Sequence, residues 1–426
     1  MSHPPPPDGL HHLADNLRQR RELPRRRRRI AALIALVAAA LLATVAWPVV
    51  RAHLQAAAVL DLVANQPLPA LLRPVAHEPV TTRDLTLPTV NGPIRARLYT
   101  PTNHPDAPAL IVLHGVHHLG MDEPRLIAFA SAMAATGLVV LTPELPGIKD
   151  YQVSAESVRT IGDAASWLST QKFSNNLALY PRALLVRWLG MPYRTHSPVG
   201  VMGLSFSGGL ALLAAADPAY QPSIKFVVAI GSQDEMSRVA RYYRTGEDPR
   251  PTGPPELLPP HEYGALVLEY EHIEDFVPAA DTTPLRAVLR AHLYEDGPAE
   301  KAAVAALTPT QLAESRQLLN TTSDTTRALL AAAETKHIEA MAGVSPHNHL
   351  ARLTTPVYLL HGAGDNIIPA SETLWMASEL PSTTLKSVLI SPVLSHINLD
   401  GANPTLKDRW SLVHFFALIL NAAHQP

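Results

Sequence analysis

The chain has 426 residues, 47% hydrophobic and 17% charged, enough to bury a large core or more than one. It has no cysteine, which excludes disulfides, thiolate chemistry and zinc–thiolate sites. The formal net charge of -2 is uneven: eight arginines against Asp8, Asp15 and Glu22 give residues 1–29 a net of +5, leaving -7 for the rest. The remainder therefore offers no support for nucleic-acid binding.

In chain order, residues 1–29 form a Pro- and His-containing, basic segment predicted to be disordered and cytoplasmic. Its His11–His12 pair could touch a metal, but a bare His pair in such a tail far more often binds nothing. Residues 30–50 contain no charged residue, and at 1.5 Å per residue a helix of that length spans about 30 Å, the thickness of a bilayer core. The basic run Arg25–Arg29 just before it predicts an uncleaved transmembrane anchor with the bulk of the chain extracytoplasmic (periplasmic or extracellular). A signal peptide cleaved near Thr44–Ala46 or Ala56–Ala58, giving a secreted protein, is the rival reading.

Residues 51–78 read as a helical linker. From there strands and helices alternate, the pattern of a mostly parallel central sheet flanked by helices. Residues 79–100 have period two and predict an antiparallel leading pair; Ala109–Leu113, Leu138–Thr142, Val199–Met202, Phe226–Ile230, Val357–His361 and Lys386–Ile390 read as further strands. Helices are expected over Pro124–Thr136, Ser154–Thr170, Leu210–Ala216, Ser371–Leu380 and Thr405–Leu420, and residues 171–197 as an irregular insertion. Between residues 232 and 354 the strand signal disappears, and an Ala-, Leu- and Glu-rich helical pattern predicts a cap inserted into a core of residues 79–231 and 355–426. Loops at the carboxyl ends of strands are where α/β proteins hold ligands, so the insertion is expected to face substrate.

The chemistry centres on Val199–Gly209, Val-Gly-Val-Met-Gly-Leu-Ser-Phe-Ser-Gly-Gly. A strand, a sharp turn, a serine and a helix form the arrangement that exposes a serine oxygen in front of a helix N-terminus. Two serines satisfy the requirement for small residues on either side. Ser205 fits better because the apolar strand ends at Met202 and the helix starts behind it; Ser207 then reads as a packing residue. A serine nucleophile needs an imidazole to take its proton, and the imidazole a carboxylate to hold its tautomer. His361-Gly-Ala-Gly-Asp365 offers the carboxylate after a strand, with Asp234 as a rival, and Ser395-His396 offers the imidazole. His347, His349 and His414 read as linker and helix-face residues.

With the order Ser205, Asp365, His396 and the His114-Gly115 pair after an early strand, the sequence resembles the α/β-hydrolase superfamily over residues 79–423. The resemblance implies a serine hydrolase of the carboxylesterase or lipase type that needs no cofactor, with oxyanion donors at the Val116 and Phe206 amides. It departs from the usual pattern at Ser207, where glycine is commoner. His117 and His118 read as oxyanion-loop residues that face substrate or support the residues that do, rather than as metal ligands, and Asp122 and Glu123 as caps of the following helix. The expected partner is a small-molecule or lipid-like ester. An acyltransferase with the same triad, or a non-catalytic membrane-tethered binding protein on this fold, are the alternatives; oligomeric state and substrate-binding residues are not specified by the sequence.

Overall fold

The structure is a computed structural model that describes residues 9–103, 107–171, 197–396, 398–399, 401 and 403–425; within these, the side chains of 9–28, 38–43 and 45 are excepted. The chain divides into two units, Met1–Ala52 and His53–Pro426. Helix α1 (Gly9–Val63) contributes to both. In the first unit Ile30, Leu33, Ile34, Leu36 and Trp47 are exposed. Among the described residues no helix is long and apolar enough to cross a membrane. The transmembrane span expected at 30–50 is therefore not supported by the structure, and part of it lies outside the described side chains.

The second unit is built on an eight-stranded sheet. Its strands are β1 (Val80–Leu87), β2 (Ile94–Pro101), β3 (Ala109–Leu113), β4 (Val139–Pro143), β5 (Val199–Leu204), β6 (Ile224–Ile230), β7 (Val357–Gly362) and β8 (Leu385–Ser391). The spatial order is β1-β2-β4-β3-β5-β6-β7-β8. The β1–β2 and β2–β4 pairs are antiparallel and every other pair is parallel. Burial explains the two sequence patterns. Edge strand β1 alternates polar residues and is largely exposed, whereas β5, β6 and β7 are apolar runs buried almost throughout, as strands covered on both faces must be. The covering helices include α2 (Pro124–Ala135), α3 (Ala155–Thr170) and α4 (Phe206–Ala216). The irregular insertion read at 171–197 lies almost wholly outside the described residues.

Between β6 and β7 the chain is mostly helical: α5 (Met236–Thr245), α6 (Glu262–Glu271), α7 (Thr282–Leu293), α8 (Gly297–Ala305), α9 (Pro309–Leu318) and α10 (Asp324–Lys336). One departure from the sequence reading is a two-residue antiparallel pair, Glu247–Asp248 with Glu256–Leu257, in the Pro-rich passage. Two residues are too few to display period two, and Gly253, at φ 86°, lies in the connection between them. Helices α11 (Ser371–Glu379) and α12 (Leu406–His424) complete the unit.

Helix α6 carries an unusual acid. Glu269 is fully buried, and neither carboxylate oxygen has a hydrogen-bond partner among the described residues. Burial raises its pKa well above the ordinary carboxylate range, which favours the protonated form in the native state. In the unfolded chain a glutamate ionises at about pH 4.3. The stability contributed by the protonated acid is thus complete below that pH and is lost as pH rises through the higher folded pKa. Glu269→Leu is expected to flatten this dependence and to gain about 1–3 kcal/mol over wild type at about pH 8. Denaturant melts of both proteins across the pH range check this; parallel curves would contradict it.

Candidate active site

The site forms at the carboxyl ends of β3, β5, β6, β7 and β8. Ser205 follows β5 immediately and has φ 55° and ψ -138°, a left-handed φ that costs a non-glycine residue about 1–3 kcal/mol. The turn is held from the neighbouring strand: the Ser205 N–H donates to the Ile230 carbonyl at 2.8 Å, and the Ser232 hydroxyl donates to the Ser205 carbonyl at 2.6 Å. Gly203 is required because a Cβ there would run into the backbone of Ser207 and Gly208. Gly231, at φ 62°, turns the chain beside His396 and Asp365.

Ser205 Oγ lies 3.1 Å from His396 Nε2, and His396 Nδ1 is hydrogen-bonded to Asp365 Oδ2. Asp365 is buried, and its Oδ1 accepts from the Ile367 and Ile368 N–H groups at 2.9 and 3.0 Å. Burial alone would raise the Asp365 pKa. His396 nearby, together with hydrogen bonds from His361 and His396, more than reverses this and holds the carboxyl well below the usual range. The His396 loop is tied to α2 by Arg125, which donates to Asn398 Oδ1 at 2.6 Å.

The structure separates the rival residues. Ser207 is fully buried and its hydroxyl donates to the His114 carbonyl at 2.6 Å. Asp234 is also fully buried but pairs with Arg238 at 2.7 Å; burial and then Glu372 raise its pKa to about 7, against the opposing effect of Arg238. His347 contacts Glu379 and Asp234, and His414 contacts His53. Glu123 caps α2 through Leu126 N–H as the sequence suggests, whereas Asp122 accepts from Arg95 and Arg97 instead.

The His114–His118 loop packs against the serine. A Cβ on Gly115 would come within 3.1 Å of Ser205 Cβ. The Val116 and Phe206 N–H groups donate to no acceptor among the described residues. His114 is buried with its pKa lowered to about 4 by desolvation, and its neutral ring accepts from Leu145 N–H at 2.9 Å. The insertion reaches this loop at two points. The Tyr263 hydroxyl donates to the Val116 carbonyl at 2.9 Å, and Tyr294 stacks on His118, which stacks on His117, each pair 4.6 Å between centroids. A cavity of about 720 Å³ inside the insertion, lined by Arg244, Thr321 and Arg327, reaches Asn366 beside the acid.

The sequence reading passed over His361, which touches Asp365 Oδ2 at 3.2 Å, as well as Ser232 and Tyr263. His361 stands in the motif that pointed to Asp365, so its place was visible but its contact was not. Tyr263 lies 147 residues from Val116, with no local signal linking them.

The Dienelactone hydrolase family model matches residues 94–237. No curated protein matches the chain. Among solved structures, an esterase from Pyrobaculum calidifontis is 17% identical, with 86% of this chain and 90% of that one covered and a TM-score of 0.39. Est1E from Butyrivibrio proteoclasticus, with ferulic acid bound, is 15% identical over 79% of this chain and 98% of that one, at a TM-score of 0.41. A 2,6-dihydroxy-pseudo-oxynicotine hydrolase is 15% identical over 80% and 68%, also at 0.41. Strand order, the strained serine turn and the family match place this chain in the α/β-hydrolase superfamily. The matched span includes Ser205 but stops before Asp365 and His396.

Proposed function

We propose that the chain hydrolyses carboxylic esters through an acyl-enzyme on Ser205. The observation that carries this is the continuous hydrogen-bonded series from Ser205 Oγ through His396 to buried Asp365, headed by a serine held at positive φ. His396 Nε2 takes the Ser205 proton as Oγ attacks the acyl carbon, and Asp365 stabilises the imidazolium that results. The Val116 and Phe206 amides receive the developing oxyanion. His396 then passes its proton to the departing alkoxide, draws one from the water that attacks the acyl carbon, and returns it to Ser205 Oγ as the acid leaves. The test is labelling by a serine-reactive phosphonate followed by identification of the modified peptide. Attachment anywhere other than Ser205 would overturn the assignment.

The insertion acts as a cap on this site, supported by its contacts to the His114–His118 loop. Tyr263 is a positioning residue for Val116. Tyr263→Phe is expected to lower kcat roughly tenfold with KM nearly unchanged, less than the ~100-fold cost of deleting an oxyanion donor. Steady-state kinetics on a soluble ester check it, and a change confined to KM would point to substrate contact instead.

On this reading residues 30–50 also hold the chain at a membrane, with the hydrolase unit extracytoplasmic and lipid-like esters as substrates. The support is the uncharged stretch after five arginines and the exposure of Ile30, Leu33, Ile34, Leu36 and Trp47 among its described side chains. Fractionation tests it: recovery of the intact chain in the soluble fraction after alkaline extraction would remove the anchor from the proposal.

A further inference from the structure

A second group of titratable side chains lies where the helical insertion leaves and rejoins the sheet. Asp234 follows β6, His347 lies shortly before β7, and Glu379 ends α11. Their candidate ligand atoms all lie within 4.8 Å of one another. His347 Nδ1 is 2.6 Å from Glu379 Oε1 and 3.7 Å from Asp234 Oδ2. The backbone holds this arrangement: the His347 N–H donates to the Asp234 carbonyl at 3.1 Å. The Asn348 N–H, from a residue at φ 67°, donates to Glu379 Oε2 at 3.3 Å.

Charge here is unbalanced. Asp234, Glu235 and Glu372 share one guanidinium, Arg238, at 2.7, 3.0 and 2.6 Å, and Glu379 adds a fourth carboxylate beside His347. Asp234 is fully buried, yet its Oδ1 has no hydrogen-bond partner among the described residues. A buried carboxylate oxygen left without a partner is costly, and most such atoms in native proteins are satisfied by a donor or an ion. One imidazole and two carboxylates form a donor set suited to Zn²⁺ and similar ions. The side chains of His347 and Glu379 are 35% and 19% exposed, so solvent reaches the cluster.

We propose that Asp234, His347 and Glu379 bind a divalent first-row cation such as Zn²⁺, which clasps both ends of the helical insertion to α11. The ion takes the lone pair of His347 Nδ1, and any proton on that nitrogen passes to solvent. Its role is structural. It fixes the chain that leaves the sheet three residues after Gly231, itself beside His396 and Asp365.

The test titrates Zn²⁺ into chelator-treated, full-length protein, read by calorimetry and by thermal unfolding. One ion per chain is expected, with the unfolding transition raised by several degrees. His347→Ala and the near-isosteric Glu379→Gln should each weaken binding at least about tenfold, with ester turnover largely retained. Absence of saturable Zn²⁺ uptake by wild type would overturn the proposal and leave the His347 ring as a hydrogen-bond partner of Glu379 alone. So would equal affinity in wild type and both variants, which would assign the ion to other histidines such as His11 and His12.

Discussion

Ser205→Ala is expected to abolish phosphonate labelling and to reduce kcat for ester hydrolysis by about 10⁴- to 10⁶-fold, with the fold retained. Removing a triad nucleophile costs on that scale because the oxyanion donors and binding contacts that remain supply only a residual acceleration. The substitution takes away one oxygen and leaves a small residue in the turn, so the protein should fold. The strain at φ 55° persists, since alanine gains nothing there that serine lacked. Ser207→Ala is the informative partner. Its hydroxyl is fully buried and donates to the His114 carbonyl, so this variant should keep its labelling while losing about 1 kcal/mol of stability. Labelling lost in Ser207→Ala and kept in Ser205→Ala would exchange the two roles.

Asp365→Asn is expected to lower kcat about 10⁴-fold, because an amide at that position no longer enforces the tautomer that presents a bare Nε2 to the serine. The geometry gives this carboxylate a heavy load. Oδ2 meets both His396 and His361, and Oδ1 takes two backbone N–H groups. The same contacts depress its pKa, which fixes the direction of a stability effect. A depressed folded pKa stabilises the native state above the unfolded value of about 3.9 and loses that contribution as pH falls through the folded pKa. Asp365→Asn should therefore lower stability at neutral pH and flatten its fall in acid, in addition to lowering the rate. Asp234→Asn is the control: it should leave kcat within a few-fold, because Asp234 pairs with Arg238 and makes no contact with His396 among the described residues. A large kcat loss in Asp234→Asn, with Asp365→Asn nearly active, would reverse the choice of acid.

Much of this was legible before any coordinates. The alternation of apolar runs with helical periods carries the α/β architecture, because a strand covered on both faces must be apolar and a surface helix must be amphipathic. The small residues flanking Ser205 and the order Ser205, Asp365, His396 are likewise local facts of the chain. Residues 30–50 carry a signal of the same local kind, an uncharged run after five arginines, whereas among the described residues no helix is long and apolar enough to cross a membrane.

Other choices depended on contacts between distant parts of the chain. Two serines fit the steric rule of the turn, and the backbone twist at Ser205 sends one hydroxyl to His396 while the helix carries the other inward to His114. Two aspartates follow strand ends, and packing delivers Asp365 to the imidazole and Asp234 to an arginine. Tyr263 reaching Val116, and Asp234, His347 and Glu379 meeting at the base of the insertion, leave no periodic trace in the residue order. Periodicity records which face of an element is buried. It does not record which side chains from other elements come to lie against that face, and the site's residue assignments rest on those partners.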